Sequence, residues 1–273
     1  QRGETLTLAA TAAIGFAQIR NAPPGFNALE VDVPSATLED ILIAFGPRIV
    51  SIVFYDQSGA MESDKLYFDR TAELTDRNTA TTSGTLLSAM TARDFLYICL
   101  ARAARGLAAD VAGANAIASI LTVGYYNVGR VWTDITATDG TAAGGATLAV
   151  DGLITWTVPA PELWVAQRLD NSAIPALTLP ASMRSHGYWL RLSVSATLTD
   201  PTTITEVSAL ANTNVNTITA RSEGEASIRI QSNNRGRDPH HFRIDRSRYG
   251  SVELTSTTIV TAANLSWLEE HGR

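Results

Sequence analysis

A single cysteine among 273 residues excludes an intrachain disulfide framework. Cys99 stands inside the apolar run Phe95-Leu96-Tyr97-Ile98-Cys99-Leu100, where a buried, inert thiol is expected. No apolar stretch approaches the roughly 18 residues of a bilayer-spanning helix. The opening Gln1-Arg2-Gly3-Glu4, with an acidic residue before a short Thr-interrupted run, is a poor secretory leader, so a soluble protein is expected. Charge is sparse, 18% of residues, and the net value is -6, which disfavours general affinity for nucleic-acid backbones because that needs clustered Lys and Arg. Catalytic signatures are missing too. His186, His240, His241 and His271 stand in no Gly-x-Ser-x-Gly or His-Glu-x-x-His context. Adjacent residues on extended chain point to opposite faces, so His240 and His241 are a poor pair for one ion. Gly144-Gly145 lacks the Lys and the helix of a phosphate loop. Neither enzymatic activity nor a cofactor or metal is expected.

What the chain has is strand after strand. Residues 1–30 contain Pro23-Pro24-Gly25, which forbids regular structure locally, and read as an arm. Ala28 to Val33 alternates as a strand, and Pro34 to about Phe45 reads as a short helix stopped by Gly46-Pro47. From Ile49 onward short apolar runs alternate with turn residues: Ile49–Tyr55, Lys65–Phe68, Asp94–Leu100, Leu107–Val111, Ile117–Tyr126, Gly152–Val158, Tyr188–Ser195 and Thr203–Leu210. Asn127 to Arg130 is a hairpin turn, and the Asp-Gly pairs at Asp139-Gly140 and Asp151-Gly152 are turns rather than calcium loops. In Tyr188–Ser195, Leu190, Leu192 and Val194 share the core face with Tyr188, opposite Trp189, Arg191 and Ser193. Many strands without long amphipathic helices predict a mainly β chain: an antiparallel, jelly-roll-like β-sandwich over 49–211, with an N-terminal arm and short helix over 1–48 and a β-rich extension over 212–273. Residues 261–270 read as a closing helical segment.

The segments Trp132-Thr133-Asp134-Ile135, Thr138-Asp139-Gly140-Thr141, Asp151-Gly152-Leu153-Ile154-Thr155-Trp156-Thr157-Val158-Pro159 and Tyr188-Trp189-Leu190-Arg191-Leu192-Ser193-Val194-Ser195 resemble the β-sandwich modules of tailed-bacteriophage virion structural proteins. The likeness covers residues 85 to 210, with Ile135 where Leu is usual and a long excursion between Trp164 and Tyr188. It implies a virion part, a capsid decoration or cement protein, assembled in the host cytoplasm. Its partners would be other virion proteins, such as major capsid or tail subunits, and copies of itself, trimers among them. The alternative is a tail- or fibre-associated carbohydrate-binding module, with Tyr126, Trp164 and Trp189 as stacking residues. Arg229, Arg235, Arg237, Arg243, Arg246 and Arg248 oppose the net sign of the chain and are candidates for docking on an acidic neighbour. A hydrolase would instead need His186 or a carboxylate pair assembled in a cleft; Glu62, Asp64 and Asp69 near one hairpin read as a solvated acidic face.

Overall fold

The computed structural model describes residues 2–6, 18–21, 28–32, 40–59, 67–76, 84–87, 90–170, 181–212, 218–222, 228–230, 241–243, 249–256 and 263–268. Four strands open the chain: β1 (Arg2–Leu6), β2 (Gln18–Asn21), β3 (Ala28–Asp32) and β4 (Asp40–Pro47). β4 replaces the helix expected through Phe45. Ile41 and Ile43 are β-branched, and a helix of about three turns has little stability of its own, so pairing with other strands decides the conformation.

The next eleven strands are β5 (Ile49–Tyr55), β6 (Tyr67–Asp69), β7 (Thr85–Leu86), β8 (Phe95–Leu100), β9 (Gly106–Gly113), β10 (Leu121–Tyr126), β11 (Trp132–Ile135), β12 (Ala137–Asp139), β13 (Gly152–Trp156), β14 (Tyr188–Val194) and β15 (Thr203–Ala209), with one short helix, α1 (Thr71–Thr75). They form a six-stranded sheet, order β11-β10-β14-β8-β5-β6, and a five-stranded sheet, order β12-β13-β9-β15-β7. Their pairings are antiparallel. Alternation along each strand supplies the core. Ile52, Phe54, Leu96, Ile98, Leu190, Leu192 and Val194 of the first sheet meet Leu107, Ala109, Ile154, Trp156, Ile204 and Val207 of the second. The arrangement is sandwich-like, and each fully buried side chain of this size contributes roughly 1.5–3 kcal/mol. A void of about 20 Å³ remains between the sheets, lined only by apolar side chains such as Leu96, Leu107 and Leu192, and such a surface holds no water. Trp156 enters this core without orphaning its indole, because Nε1–H donates to the Ala104 carbonyl at 2.9 Å.

The six-stranded sheet is covered on its other face as well. Val53, Tyr55, Tyr97, Cys99, Tyr126 and Trp189 form a second buried cluster there with Leu169 and Met183. This explains why Phe95–Leu100 reads as an unbroken apolar run: both of its faces are covered. Ala181–Arg184, a single 3-10 turn, packs on β5 as part of that cover. On the second sheet all seven residues of β15 are buried, and α1 packs against both β15 and β5.

After the body come β16 (Ile218–Ser222), β17 (Ile228–Ile230), β18 (His241–Arg243), β19 (Tyr249–Ser256) and β20 (Ala263–Leu268). β20 takes the place of the expected closing helix. Its sequence alternates Leu265 and Trp267 with Asn264 and Ser266, a period of two that suits a strand. The terminal strands interleave in a four-stranded sheet, β1-β20-β3-β18, and a five-stranded one, β17-β16-β4-β19-β2. N-terminal strands therefore pair with C-terminal ones: β1 and β3 with β20, β3 with β18, β4 with β16, and β2 with β19. The chain divides into one compact unit, Pro47–Leu210, and a second made of Gln1–Gly46 together with Ala211–Arg273. The separate arm and extension expected from the sequence are thus one β unit, because each flank supplies the hydrogen-bonding partners that the other lacks.

Candidate functional site

Strand order on the six-stranded sheet draws together side chains from distant parts of the chain. Arg191 of β14 stands opposite Tyr97 of β8 on one side and Gly124 of β10 on the other, and Gly124 in turn stands opposite Asp134 of β11. Residues of this row point away from the main core, since their neighbours Leu190, Leu192, Leu96 and Val123 point into it. The Arg191 guanidinium carbon lies 4.9 Å from the Phe95 ring centroid and 5.1 Å from that of Trp132, so the cation is held over both rings. Each such contact contributes about 0.5–1 kcal/mol where water still reaches it. One guanidinium nitrogen is 3.9 Å from an Asp134 oxygen, with the Arg191 side chain 26% and the Asp134 side chain 67% exposed.

Gly124 leaves room beneath this pair. A Cβ there would stand 3.3 Å from the Asp134 oxygen and 3.9 Å from the Arg191 nitrogen, so the two charged groups close over a floor of bare backbone. The aromatic lining continues from Phe95 through Tyr55 to Tyr67, with centroids 6.3 and 4.9 Å apart. Trp132 leans on Tyr97 and Tyr126 at 5.5 and 5.2 Å. Burial pushes the Tyr97 hydroxyl above its ordinary value against a smaller lowering by Arg191, and burial likewise raises Tyr67. These phenols are neutral at physiological pH. The half-buried rings of Phe95 and Trp132, the clamped guanidinium and the exposed carboxylate make a surface with apolar, donor and acceptor parts side by side.

The three stacking candidates from the sequence are elsewhere. Tyr126 and Trp189 are 0% exposed and Trp164 is 1% exposed, so none offers a ring face to a ligand. The reason is packing. Trp189 lies in the second buried cluster with Leu169 and Met183, while Trp164 meets Tyr125 and Tyr188 edge-on at 6.0 and 5.6 Å. Tyr126 lies beside Asp170, and its hydroxyl is raised by burial first and by that carboxylate second. Of the six arginines, Arg229 falls on β17 and Arg243 on β18, edge strands of different sheets. Arg235, Arg237, Arg246 and Arg248 lie outside the described residues, as do Glu62, Asp64, His240 and His271. His241 is in β18. His186 is exposed in the turn before β14.

The remaining polar motifs hold backbone. The Asp139 carboxylate accepts from Thr141 N–H at 2.9 Å and from the hydroxyls of Thr141 and Thr147 at 2.6 Å each. Asp151 accepts from Val111 N–H at 2.6 Å. Asp94, fully buried, takes main-chain and hydroxyl hydrogen bonds from both Ser58 and Thr91 and so ties two loops together. Asp69 receives Thr71 N–H and the Thr71 hydroxyl at the start of α1. Among the described residues, no group of three or more His, Cys, Asp or Glu gathers as a metal site, and no helix is long and apolar enough to cross a membrane. In comparison with known proteins, the chain matches no family model and no curated protein.

Sequence reasoning passed over Phe95, Trp132, Asp134 and Arg191 as a set. A signal existed for Arg191: alternation in β14 puts it beside Trp189 and away from the core.

Proposed function

We propose that the chain is a non-enzymatic structural component of a tailed-phage virion, a decoration or cement part that binds neighbouring virion subunits and works by burying surface. The observation that carries this reading is the chain's path: both ends are woven into one β unit, and the body is a single insertion between Gly46 and Ala211. Such a path suits a part with an attachment base built from the termini and a separately folded body, which we read as jelly-roll-like. The resemblance of residues 85 to 210 to virion β-sandwich modules points the same way. Edge strands support it physically. β17 and β18, which carry Arg229 and Arg243, end their sheets, and an edge backbone can extend pairing into a neighbour. Attachment then combines strand addition with arginine forks on acidic partner groups, and closed homo-oligomers, trimers among them, are its natural state.

Co-sedimentation of the purified full chain with virion shells, with light scattering of the chain alone, tests the reading. Binding is expected, and it should weaken at least tenfold when Arg229, Arg235, Arg237, Arg243, Arg246 and Arg248 are changed to Glu together, since each charge-assisted hydrogen bond contributes about 1.5–3 kcal/mol. Circular dichroism establishes that the variant keeps its strands. A monomer that ignores shells would overturn the proposal.

A further inference from the structure

We propose that the end of the body formed by the loops 114–120, 140–151 and 195–202 is the face on which a second copy of this chain docks. β9 starts beside Leu210, whose N–H donates to the Gly106 carbonyl at 2.9 Å, and ends at Gly113, so the loops that follow it stand at the far end of the body from Leu210. Hydrogen bonds join the three loops. Ser119 N–H donates to the Gly145 carbonyl at 3.0 Å and Asn115 N–H to the Leu148 carbonyl at 2.9 Å, while Ala116 N–H donates to the Thr199 hydroxyl at 2.6 Å. The buried Asn115 side chain bonds to all three. The surface is therefore set before a partner arrives, which keeps the ordering cost of binding low.

No Asp, Glu, Lys, Arg or His occurs from Val111 to Gly129, from Gly140 to Val150 or from Leu192 to Thr199. Ile120 is 70%, Val150 43% and Ile117 40% exposed, with exposed Ala116, Ala118 and Ala142 in the same loops. Together such residues present on the order of 500 Å², as much as the largest apolar patch on a typical monomer. Two such faces bury about 1,000 Å² in all, the lower bound for a specific contact. Charge selects the occupant. Copies of a chain of net charge -6 repel one another wherever acidic surfaces meet, and the centre of this face carries no charge. Its rim is two-sided. Exposed Asp151 bounds the 140–151 loop. On the other side lie exposed Asp200 and exposed Arg93, the latter in a turn joined to the 195–202 loop through Leu198 N–H and the Met90 carbonyl at 3.0 Å. A two-fold axis through the face brings each Arg93 toward the partner's Asp151, so the surface complements itself.

Self-association through this face rests on the attachment reading only for its expectation of closed homo-oligomers, and the two fail separately. A dimer that ignores virion shells sustains the face and overturns attachment, whereas a monomer that binds shells does the reverse. Sedimentation velocity of the full chain over roughly 1–100 µM, the range suited to so small an interface, should show a concentration-dependent dimer. Its dissociation constant should rise roughly tenfold or more in Ile120→Lys, which sets a cation in the apolar contact, and less steeply in Arg93→Glu, which makes both sides of the rim acidic. Val131→Lys, at a 56% exposed residue outside these loops, should leave it unchanged. Circular dichroism checks that the strands persist; should Ile120→Lys fail to fold, Arg93→Glu carries the test, since that side chain is exposed. A chain that stays monomeric throughout, wild-type dimerisation in Ile120→Lys or Arg93→Glu, or an equal loss in Val131→Lys would each overturn the assignment, and a monomer whose shell binding disappears in Ile120→Lys would give the face to a virion subunit instead.

Discussion

Replacing Asn115 with Ala should be among the most damaging single changes outside the apolar core. Asn115 is 2% exposed and ties three loop segments together. Its amide donates to the Ile117 carbonyl, the Ser119 hydroxyl and the Thr147 carbonyl at 2.9, 2.9 and 3.0 Å. Its carbonyl oxygen accepts from Ile117 N–H at 3.1 Å, and from Thr199 N–H and the Thr199 hydroxyl at 3.0 and 2.8 Å. Alanine orphans the Thr147 carbonyl and the Thr199 N–H, at about 1–3 kcal/mol for each buried group, so a loss near 4 kcal/mol is expected. For a unit of this size that lowers Tm by roughly 8–16 °C. Urea unfolding followed by tryptophan fluorescence isolates the effect, because Trp132, Trp156, Trp164 and Trp189 lie in the body and only Trp267 lies outside it. Asn115→Asp keeps the acceptor contacts but sets a carboxylate against the Ile117 and Thr147 carbonyls, and should fall as far. A loss below about 1 kcal/mol in Asn115→Ala would refute the view that this side chain holds the loops.

Burial pushes the Cys99 thiol from an ordinary value of 9.0 up to about 12, with Arg48 lowering it slightly. Thiol reagents at pH 8 should therefore label the chain only after unfolding; rapid labelling of native protein would contradict the burial. Unfolded Cys99 ionises near 9 while the folded thiol stays protonated to about 12, so its contribution is complete below pH 9 and is lost as pH rises toward 12, by up to about 4 kcal/mol. Urea midpoints measured from pH 7 to pH 11 should fall accordingly, with Tyr97 adding to the slope. Gly152→Ala would drive a Cβ into the Gly140 carbonyl, and Gly140→Ala would set one 2.6 Å from the Leu153 carbonyl. Backbone blocks both moves, so each should cost about 1–3 kcal/mol in thermal melts, and an unchanged midpoint would contradict the close approach. Trp156→Phe removes the indole donor bonded to the buried Ala104 carbonyl and should cost a further 1–3 kcal/mol or so by the same melts.

Much of the body was legible because alternation is a local property. Ile154 and Trp156 share a face in the sequence and are both buried in the core, and the side of β14 that carries Leu190, Leu192 and Val194 follows from the same period. The termini were misread where segments are short. Asp40 to Phe45 and Ala263 to Leu268 fit a helical turn as readily as a strand, and what settles them is a partner from the opposite end of the chain, which no local pattern announces. The candidate site escaped for a related reason. Tyr126, Trp164 and Trp189 were expected to face outward, and all three are buried. Arg191 meets Trp132 only because β10 separates β14 from β11 and contributes Gly124 between them, and strand order is not written in either segment.

The residues that carry the resemblance divide by what they do. Asp139, Gly140, Thr141, Asp151 and Gly152 hold backbone: the carboxylates fasten loops, and the two glycines let the chain approach itself. Trp132, Asp134 and Arg191 do neither; on the outer face of the sheet Trp132 packs on Tyr97 and Tyr126 beneath the Arg191 guanidinium, and Asp134 reaches solvent. The first group thus fixes the path of the chain. Changing Asp134, whose side chain is 67% exposed, should leave the melting temperature nearly unmoved, whereas Gly152→Ala should lower it because its Cβ meets the Gly140 carbonyl. The contrast between those two variants separates the residues that build the sheet from those that decorate it.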